Sequence, residues 1–349
     1  MRKYKVIVWG VGSVGKYAIR TIFEKKSLEL VAAIDANPSI VGKDIGEVLG
    51  MDPTGVIVSD DISAELSKEA DIVLLYVGIR APAIDLIFQA LNAKKNVLTT
   101  LNVYNYQDTA PELYEKINAC ALENNVTYCQ QGIYPGLFTP YLPVVLASMT
   151  GRVDKVEINC IEDDMGNPSE WVKVFGYGHD PKTFDPSIFT SLFSSYYGPT
   201  VKEVARRCHL EYDEYVEECE TFTHDKVIHT KYLGDVNPGT IAYHKVSMMC
   251  KKDGKEVSGF HITHKIGREQ SPIQENENSI VIYGDPNLKV TIDGLISLKP
   301  ADSDDSVFVA GGKPFATSTS PSINLINTVV EAAPGWVDAL DLKAAQPIA

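Results

Sequence analysis

Apolar runs and amphipathic stretches alternate through the first 130 residues. Val6–Trp9 is a short apolar run that passes directly into Gly10-x-Gly12-x-x-Gly15, and the segment KYAIRTIFEKK after it has helical spacing. LELVAAID reads as a second buried strand ending at Asp35. Val56–Val58 closes the next loop, and ADIVLLYV (residues 70–77) is a continuous apolar run of the kind buried on both faces of a parallel sheet. AIDLIFQALNAKK and PELYEKINACALENN are amphipathic helices, each followed by a short strand, NVLTT and VTYCQQG. Strands and helices in strict alternation specify a doubly wound parallel sheet.

From about Tyr134 the pattern changes. LFTPYLPVVLASMTG reads as a helix with an internal Pro143. VDKVEINCIED, TIAYHKVSMMCKKDGKEVSGFHITHKIG and NSIVIYGDPNLKVTIDG alternate with period two and carry hairpin turns such as Asp253-Gly254. TVKEVARRCHL and THDKVIHTKY read as helical, and SPSINLINTVVEAAPGW as one helix stopped by Pro334-Gly335. The fold class expected is therefore α/β: an N-terminal Rossmann doubly wound parallel sheet, then a second α+β domain on an open mixed sheet. Residues 1–133 are expected to bind a dinucleotide and 134–312 to form a substrate and dimerisation domain. Residues 313–349 would form a C-terminal helix and tail packing back on the first domain.

The 349 residues, 44% hydrophobic, suffice for two cores. A net charge of −14 with no basic stripe argues against a nucleic acid or an anionic membrane as partner. No signal pattern or long apolar span is seen, so a cytoplasmic protein is expected. Six scattered cysteines lack metal-like spacing. His261-x-x-His264 lies in an alternating strand, where residues three apart face opposite sides, so no metal site is expected.

The glycine motif has the context that a dinucleotide needs. Gly10 permits a tight turn, Gly12 close approach of a pyrophosphate, and Gly15 close packing of helix on strand. Gly10, Val11, Gly12, Ser13, Val14 and Gly15 are thus the expected pyrophosphate site, at a helix N-terminus. Asp35 stands about 20 residues on, where a ribose-binding carboxylate belongs. ANPSIV after it offers no cation for a 2′-phosphate, so NAD is expected, with Lys43 leaving NADP use open. Ligands in such sheets lie beyond the carboxyl ends of the strands. That places Val77, Gly78, Thr99 and Thr100 near the nicotinamide half.

GKDIGEVLGMDPTGVIVSDDI, NVLTT, GIYPGLFTPYLP, WVKVFGYGHDP and EAAPGWVDALDL together resemble the dihydrodipicolinate-reductase-like superfamily. Within it they resemble the branch of 2,4-diaminopentanoate dehydrogenases and native amine dehydrogenases. The resemblance implies a homodimer that interconverts amine or imine with ketone and ammonia using NAD(P). It also implies that Trp171, Phe175 and Tyr177 line a substrate pocket, as aromatics that stack on a cation or bury an alkyl chain, although plain core packing explains them equally well. Two positions depart from the branch. Asn102 stands where its members carry a glutamate that handles ammonium, and Tyr134-Pro135-Gly136 replaces Asn-Pro-Gly. An amide cannot ionise, so Asn102 can hydrogen-bond the reacting nitrogen but cannot act as a base. Either the chemistry shifts toward imine reduction, or another residue takes the acid–base role.

Tyr104, Tyr106, Tyr134 and His179 are the remaining candidates for a proton donor or pocket residue. Glu162, Asp163, Asp164 and Glu170 flank Trp171 and could attract a cationic amine, but read as a solvated acidic loop. The His-His-x-x-Lys run of the dihydrodipicolinate reductases and the Glu-Lys-Pro of sugar oxidoreductases are not found. A C–O dehydrogenase using a tyrosine acid and a non-catalytic NAD-binding sensor remain as rival classes.

Overall fold

The structure, a computed structural model, describes residues 2–77, 83–100, 106–165, 170–230, 232–267, 278–292 and 316–343. The chain opens with β1 (Tyr4–Trp9), α1 (Ser13–Glu24), β2 (Leu28–Ile34), α2 (Ile45–Leu49), β3 (Val58–Ser59) and α3 (Ile62–Ser67). There follow β4 (Ile72–Leu75), α4 (Ala83–Asn92), β5 (Asn96–Thr99), α5 (Tyr106–Thr109), α6 (Pro111–Glu123) and β6 (Thr127–Gln130). Next come α7 (Tyr141–Ala147), β7 (Arg152–Asp163), a 3-10 segment at Glu170–Phe175, and α8 (Pro186–Arg207). Strands β8 (Glu214–Thr223), β9 (Ile228–Thr230), β10 (Gly234–Val236), β11 (Ile241–Lys252), β12 (Lys255–Lys265), β13 (Ser279–Asp285) and β14 (Leu288–Thr291) continue the chain. It ends on α9 (Ala316–Ile323), α10 (Ile326–Val330) and β15 (Gly335–Val337). Met1–Leu137 with Phe315–Ala349 forms one compact unit, and Phe138–Pro314 a second.

The first unit is built on a sheet of order β15-β6-β5-β4-β1-β2-β3 with every pairing parallel. All four residues of β4 are buried, as its unbroken apolar run requires. Strand order reverses between β1 and β4, which makes their carboxyl ends the crevice where ligands bind in such sheets.

The C-terminal segment completes this unit. The Tyr76 hydroxyl lies 2.7 Å from Ser322 Oγ, and the Thr127 hydroxyl donates to the Val329 carbonyl at 3.0 Å. Trp336 on β15 packs against Tyr128 and Tyr114, with centroids 4.4 and 5.1 Å away. The single helix expected over SPSINLINTVVEAAPGW is instead two short helices and an edge strand. Ser322 bonds the Thr319 carbonyl, and the Leu325 N–H turns to Ser322 O, three residues back; these local bonds end the first helix.

The second unit is a six-stranded mixed sheet, β14-β13-β7-β12-β11-β8, in which β7–β12 is parallel and the other pairs are antiparallel. Helix α8 covers one face: Ser258 Oγ donates to Val201 O, and Tyr197 packs on Phe260 at 5.6 Å. The helix expected over THDKVIHTKY is corrected to the hairpin β9–β10. Gly234, at φ +75°, and the Thr230 hydroxyl, bonded to Gly234 O and to Leu233 N–H, make a tight turn that no helix accommodates. No described helix is long and apolar enough to cross a membrane.

Candidate active site

The first unit presents a cradle at the β1–β4 crossing. Gly10 has φ +100°, donates to Ile34 O, and a Cβ there would meet the Tyr76 carbonyl oxygen at 2.5 Å. A Cβ on Gly15 would overlap the Gly10 carbonyl. Gly12 differs: its Cβ would meet nothing within 4 Å, so the space beside it is open. It is also the N-cap of α1, with no side-chain cap and no acid in the first turn. Lys16 N–H makes the first intrahelical bond, to Gly12 O, so Ser13, Val14 and Gly15 have no intrahelical acceptor for their N–H groups. An uncapped helix end beside open space fits a pyrophosphate.

Asp35 is pinned beside this turn. Its Oδ2 accepts from Val11 N–H at 2.6 Å and its Oδ1 from Asn37 N–H at 2.8 Å. Each oxygen retains a lone pair for a ribose hydroxyl. Lys43 pairs with Glu47 at 3.6 Å. Thr99, fully buried, donates its hydroxyl to Leu75 O and accepts from Gln131 N–H on its carbonyl, so both groups serve the sheet. Val77 and Thr100 are half-buried at strand ends. Tyr134, also half-buried, sits in a turn where the Pro135 carbonyl accepts from Gly132 N–H and from Gln130 Nε2. Gly78, Asn102 and Tyr104 lie outside the described residues, as does the side chain of Trp171.

The second unit holds a buried ionisable cluster. Register pairing aligns Glu162 (β7), His264 (β12), His244 (β11) and Thr221 (β8) in one row across the sheet. The next row inward, Cys160, Ile262, Val246 and Cys219, is apolar. His264 Nδ1 lies 3.1 Å from Asp164 Oδ2 and 3.8 Å from Glu162 Oε2. The Tyr177 hydroxyl donates to the same Asp164 oxygen at 2.9 Å. One donor atom from each of Glu162, Asp164 and His264 falls within a 4.8 Å span, close enough to surround a cation. Phe175 and Phe193 stand edge-on to His264, each with its centroid 4.8 Å away.

The charges follow from these contacts. Burial drives the Glu162 carboxyl up to about 7, with His264 opposing and Asp164 adding to the rise. Burial disfavours the His264 imidazolium, but the hydrogen bond to Asp164 and the charges of Asp164 and Glu162 outweigh it and raise its pKa. His244 is kept neutral, with burial lowering its pKa to about 4. Its Nε2 lies 2.6 Å from the Phe175 carbonyl, which can only accept, so the proton sits there and Nδ1 accepts from Thr221.

The reading of residues 162–164 as part of a solvated loop is corrected here: Asp164 is 1% exposed and Glu162 half-buried at the end of a strand. Phe175 and Tyr177 are buried within the aromatic group around this cluster. His179 is not brought to it; it sits exposed on a turn, its N–H on Gly176 O. His264 and His244 escaped the sequence reading. The alternation of FHITH correctly separates His261 from His264, but the hydrogen-bond partner of His264, Asp164, lies 100 residues away, just past the end of β7.

Residues 4–98 match the family model described as dihydrodipicolinate reductase, N-terminus. The chain is 27% identical to an amine dehydrogenase of Streptomyces virginiae, over 96% of this chain and 95% of that protein. It is 30% identical to a 2,4-diaminopentanoate dehydrogenase of Acetoanaerobium sticklandii over 45% of this chain and 44% of that one. Its fold is that of the amine dehydrogenase of Mycobacterium smegmatis, with TM-score 0.76, 20% identity, and coverage of 99% and 97%. The fold and cradle define a nucleotide-binding oxidoreductase. Over nearly its whole length the chain is similar to an amine dehydrogenase, and its N-terminal residues match the dihydrodipicolinate reductase model.

Two predictions follow from this geometry. Gly12→Ala, whose Cβ enters open space, should change stability by no more than about 1 kcal/mol yet weaken dinucleotide binding by about tenfold or more, whereas Gly15→Ala should unfold the unit. Calorimetric titration beside thermal melts checks both. Burial lifts Glu162 from the usual carboxylate range to about 7, so its ionisation costs the fold stability as pH rises through that interval. Glu162→Gln should therefore be more stable than the parent at pH 8 by about 3 kcal/mol, and the gain should vanish near pH 4; denaturant melts at both pH values measure it.

Proposed function

We propose that this protein is an NAD-dependent oxidoreductase that moves hydride between nicotinamide and the carbon of a C–N bond, interconverting an amine or imine with its oxidised or reduced partner. The observation that carries the reading is the whole-length likeness to an amine dehydrogenase, joined to an uncapped, open glycine turn with an acid pinned beside it. Gly10, Val11, Gly12, Ser13, Val14 and Gly15 would hold the pyrophosphate and Asp35 the ribose. Val77, Gly78 and Thr100 would approach the nicotinamide half. The cofactor supplies the hydride when bound; this chain's residues bind it, orient it and manage protons.

Thr99 supports that site through the sheet, since its hydroxyl and carbonyl are both taken. Asn102 would hydrogen-bond the reacting nitrogen, and Tyr134 remains a candidate proton donor. The second unit would carry the substrate-recognising residues, with Phe175 and Tyr177 fixing its aromatic wall. The resemblance read from the sequence adds a homodimer to this reading, and the lack of a signal pattern in the sequence a cytoplasmic location.

The test is NADH oxidation with a panel of cyclic imines beside small ketones plus concentrated ammonia. Turnover of either is the expected result; turnover of ketones without ammonia would make the protein a C–O dehydrogenase, and NADH binding without any turnover a sensor. For the cofactor, Asp35→Ala should lower the ratio of NAD to NADP efficiency by about tenfold or more, the scale of one lost charge-assisted hydrogen bond. An unchanged ratio would remove Asp35 from the ribose site.

A further inference from the structure

The last residues of five strands in the first sheet fall in one register row: Ile34 on β2, Trp9 on β1, Leu75 on β4, Thr99 on β5 and Gln130 on β6. The glycine turn leaves this row at β1. Asp35 follows it on the β2 side, where the ribose of an adenosine half would sit. The nicotinamide half then has to extend the other way, over the ends of β4, β5 and β6. Gln130 stands three strand spacings from β1 along that line, about 14 Å.

Gln130 is 4% exposed, and the two polar atoms of its amide have unlike surroundings. Nε2 donates to the Pro135 carbonyl at 3.2 Å. A carbonyl can only accept, so the amide cannot be turned over without losing that bond. This fixes Oε1 as the other end, and it has no hydrogen-bond partner among the described residues. The donors around it are committed elsewhere. Thr99, next in the row, gives its hydroxyl proton to Leu75 O, and Gly132 N–H goes to Pro135 O. A buried amide oxygen in this state is costly, and what it lacks is an N–H or O–H donor. A Cβ on Gly132 would meet Pro135 O at 3.3 Å and the Thr100 side chain at 3.6 Å. The turn that anchors the Gln130 amide therefore packs against Thr100, the strand-end residue assigned above to the nicotinamide half.

We infer that Gln130 Oε1 accepts a hydrogen bond from the carboxamide N–H2 of the nicotinamide ring, which makes Gln130 a positioning residue for the cofactor. The inference rests on the dinucleotide reading of the first unit and needs nothing from the second. In the nicotinamide half the ribose hydroxyls lie nearer the pyrophosphate; the carboxamide, at the far end, carries the only N–H donors. Its bond to Oε1 forms out of reach of competing water, where a neutral pair of this kind is strengthened. The Nε2–Pro135 bond holds the acceptor still meanwhile. With its carboxamide held, the ring cannot rotate about its bond to the ribose, and one face of C4 is presented.

The test is calorimetric binding to the full chain of four ligands: NAD, its thionicotinamide analogue, its 3-acetylpyridine analogue and ADP-ribose. The thio analogue keeps the N–H2 group, the acetyl analogue has a methyl in its place, and ADP-ribose has no nicotinamide ring. The parent should bind NAD and the thio analogue alike, and the acetyl analogue about tenfold more weakly, the scale of one hydrogen bond lost at a buried acceptor. Gln130→Met should bring NAD down to the level of the acetyl analogue and leave ADP-ribose unchanged. A merely structural role, through the lost Pro135 bond, would weaken the ligands together and keep the parent's ratio of NAD to acetyl analogue. Gln130→Thr, suited to a strand and too short to place an acceptor there, serves if the Met variant does not fold. A parent that binds NAD and the acetyl analogue equally overturns the proposal without any variant. So does a folded variant that keeps the parent's ratio. A chain that binds none of the four overturns the dinucleotide reading itself. The C–N reading is tested by turnover alone and stands apart from these outcomes.

Discussion

Backbone crowding where β1 crosses into α1 is the constraint on which the first unit depends. Gly10 lies against the Tyr76 carbonyl of the neighbouring strand end, and Gly15 against the Gly10 carbonyl. Overlap with backbone atoms cannot be relieved by turning a side chain. It therefore outweighs the ~0.5–1 kcal/mol of chain entropy that glycine costs in a regular element. With the turn held this way, Val11 N–H is aimed at Asp35, and the end of α1 opens beside Gly12. The open helix end and the pinned carboxylate are thus two properties of one backbone turn, and the C-terminal segment reinforces it from behind through Ser322 on Tyr76.

The second unit is organised around the opposite kind of constraint, one that costs stability. A buried carboxylate without a hydrogen bond is unfavourable by several kcal/mol unless it is protonated or meets a cation. The row next to Glu162, His264, His244 and Thr221 shows that the sheet under α8 can be filled with apolar side chains. An apolar set at this row too would be at least as stable. His244 is settled between Phe175 O and Thr221, while His264 is held by Asp164 through Nδ1 alone. Glu162 alone is left to titrate or to meet a cation, with the Asp164–His264–Tyr177 set holding it in place.

Local features of this architecture were legible in the sequence, and those set by long-range register were not. The glycine turn, Asp35 and the buried β4 run announce themselves because each depends on residues within a few positions of one another. The hairpin at Ile228–Val236 was misread because its turn depends on a threonine hydroxyl and a positive φ rather than on periodicity. The split of the C-terminal helix turns on a serine hydroxyl that chooses its own helix carbonyl and Tyr76. Glu162 and Asp163 looked like adjacent surface acids, yet a strand sends neighbours to opposite faces, and Glu162 takes the buried one. Nothing local says that β7 pairs in parallel with β12, and only that pairing sets Glu162 beside His264.

The two units are built on separate sheets, and their ionisable groups are held by separate sets of contacts. The glycine turn and Asp35 fold around the core of the first unit. The ionisable cluster depends on the sheet under α8 in the second unit, with its own core and its own register. A carboxyl that exchanges a proton near neutral pH has to be lifted from its usual range and not be consumed by its neighbours. Asp164 fails the second condition, held by Tyr177 and His264, and Asp35 fails it as well, held by two backbone N–H groups. Glu162 meets both, since burial lifts it to about 7 and no described donor claims it.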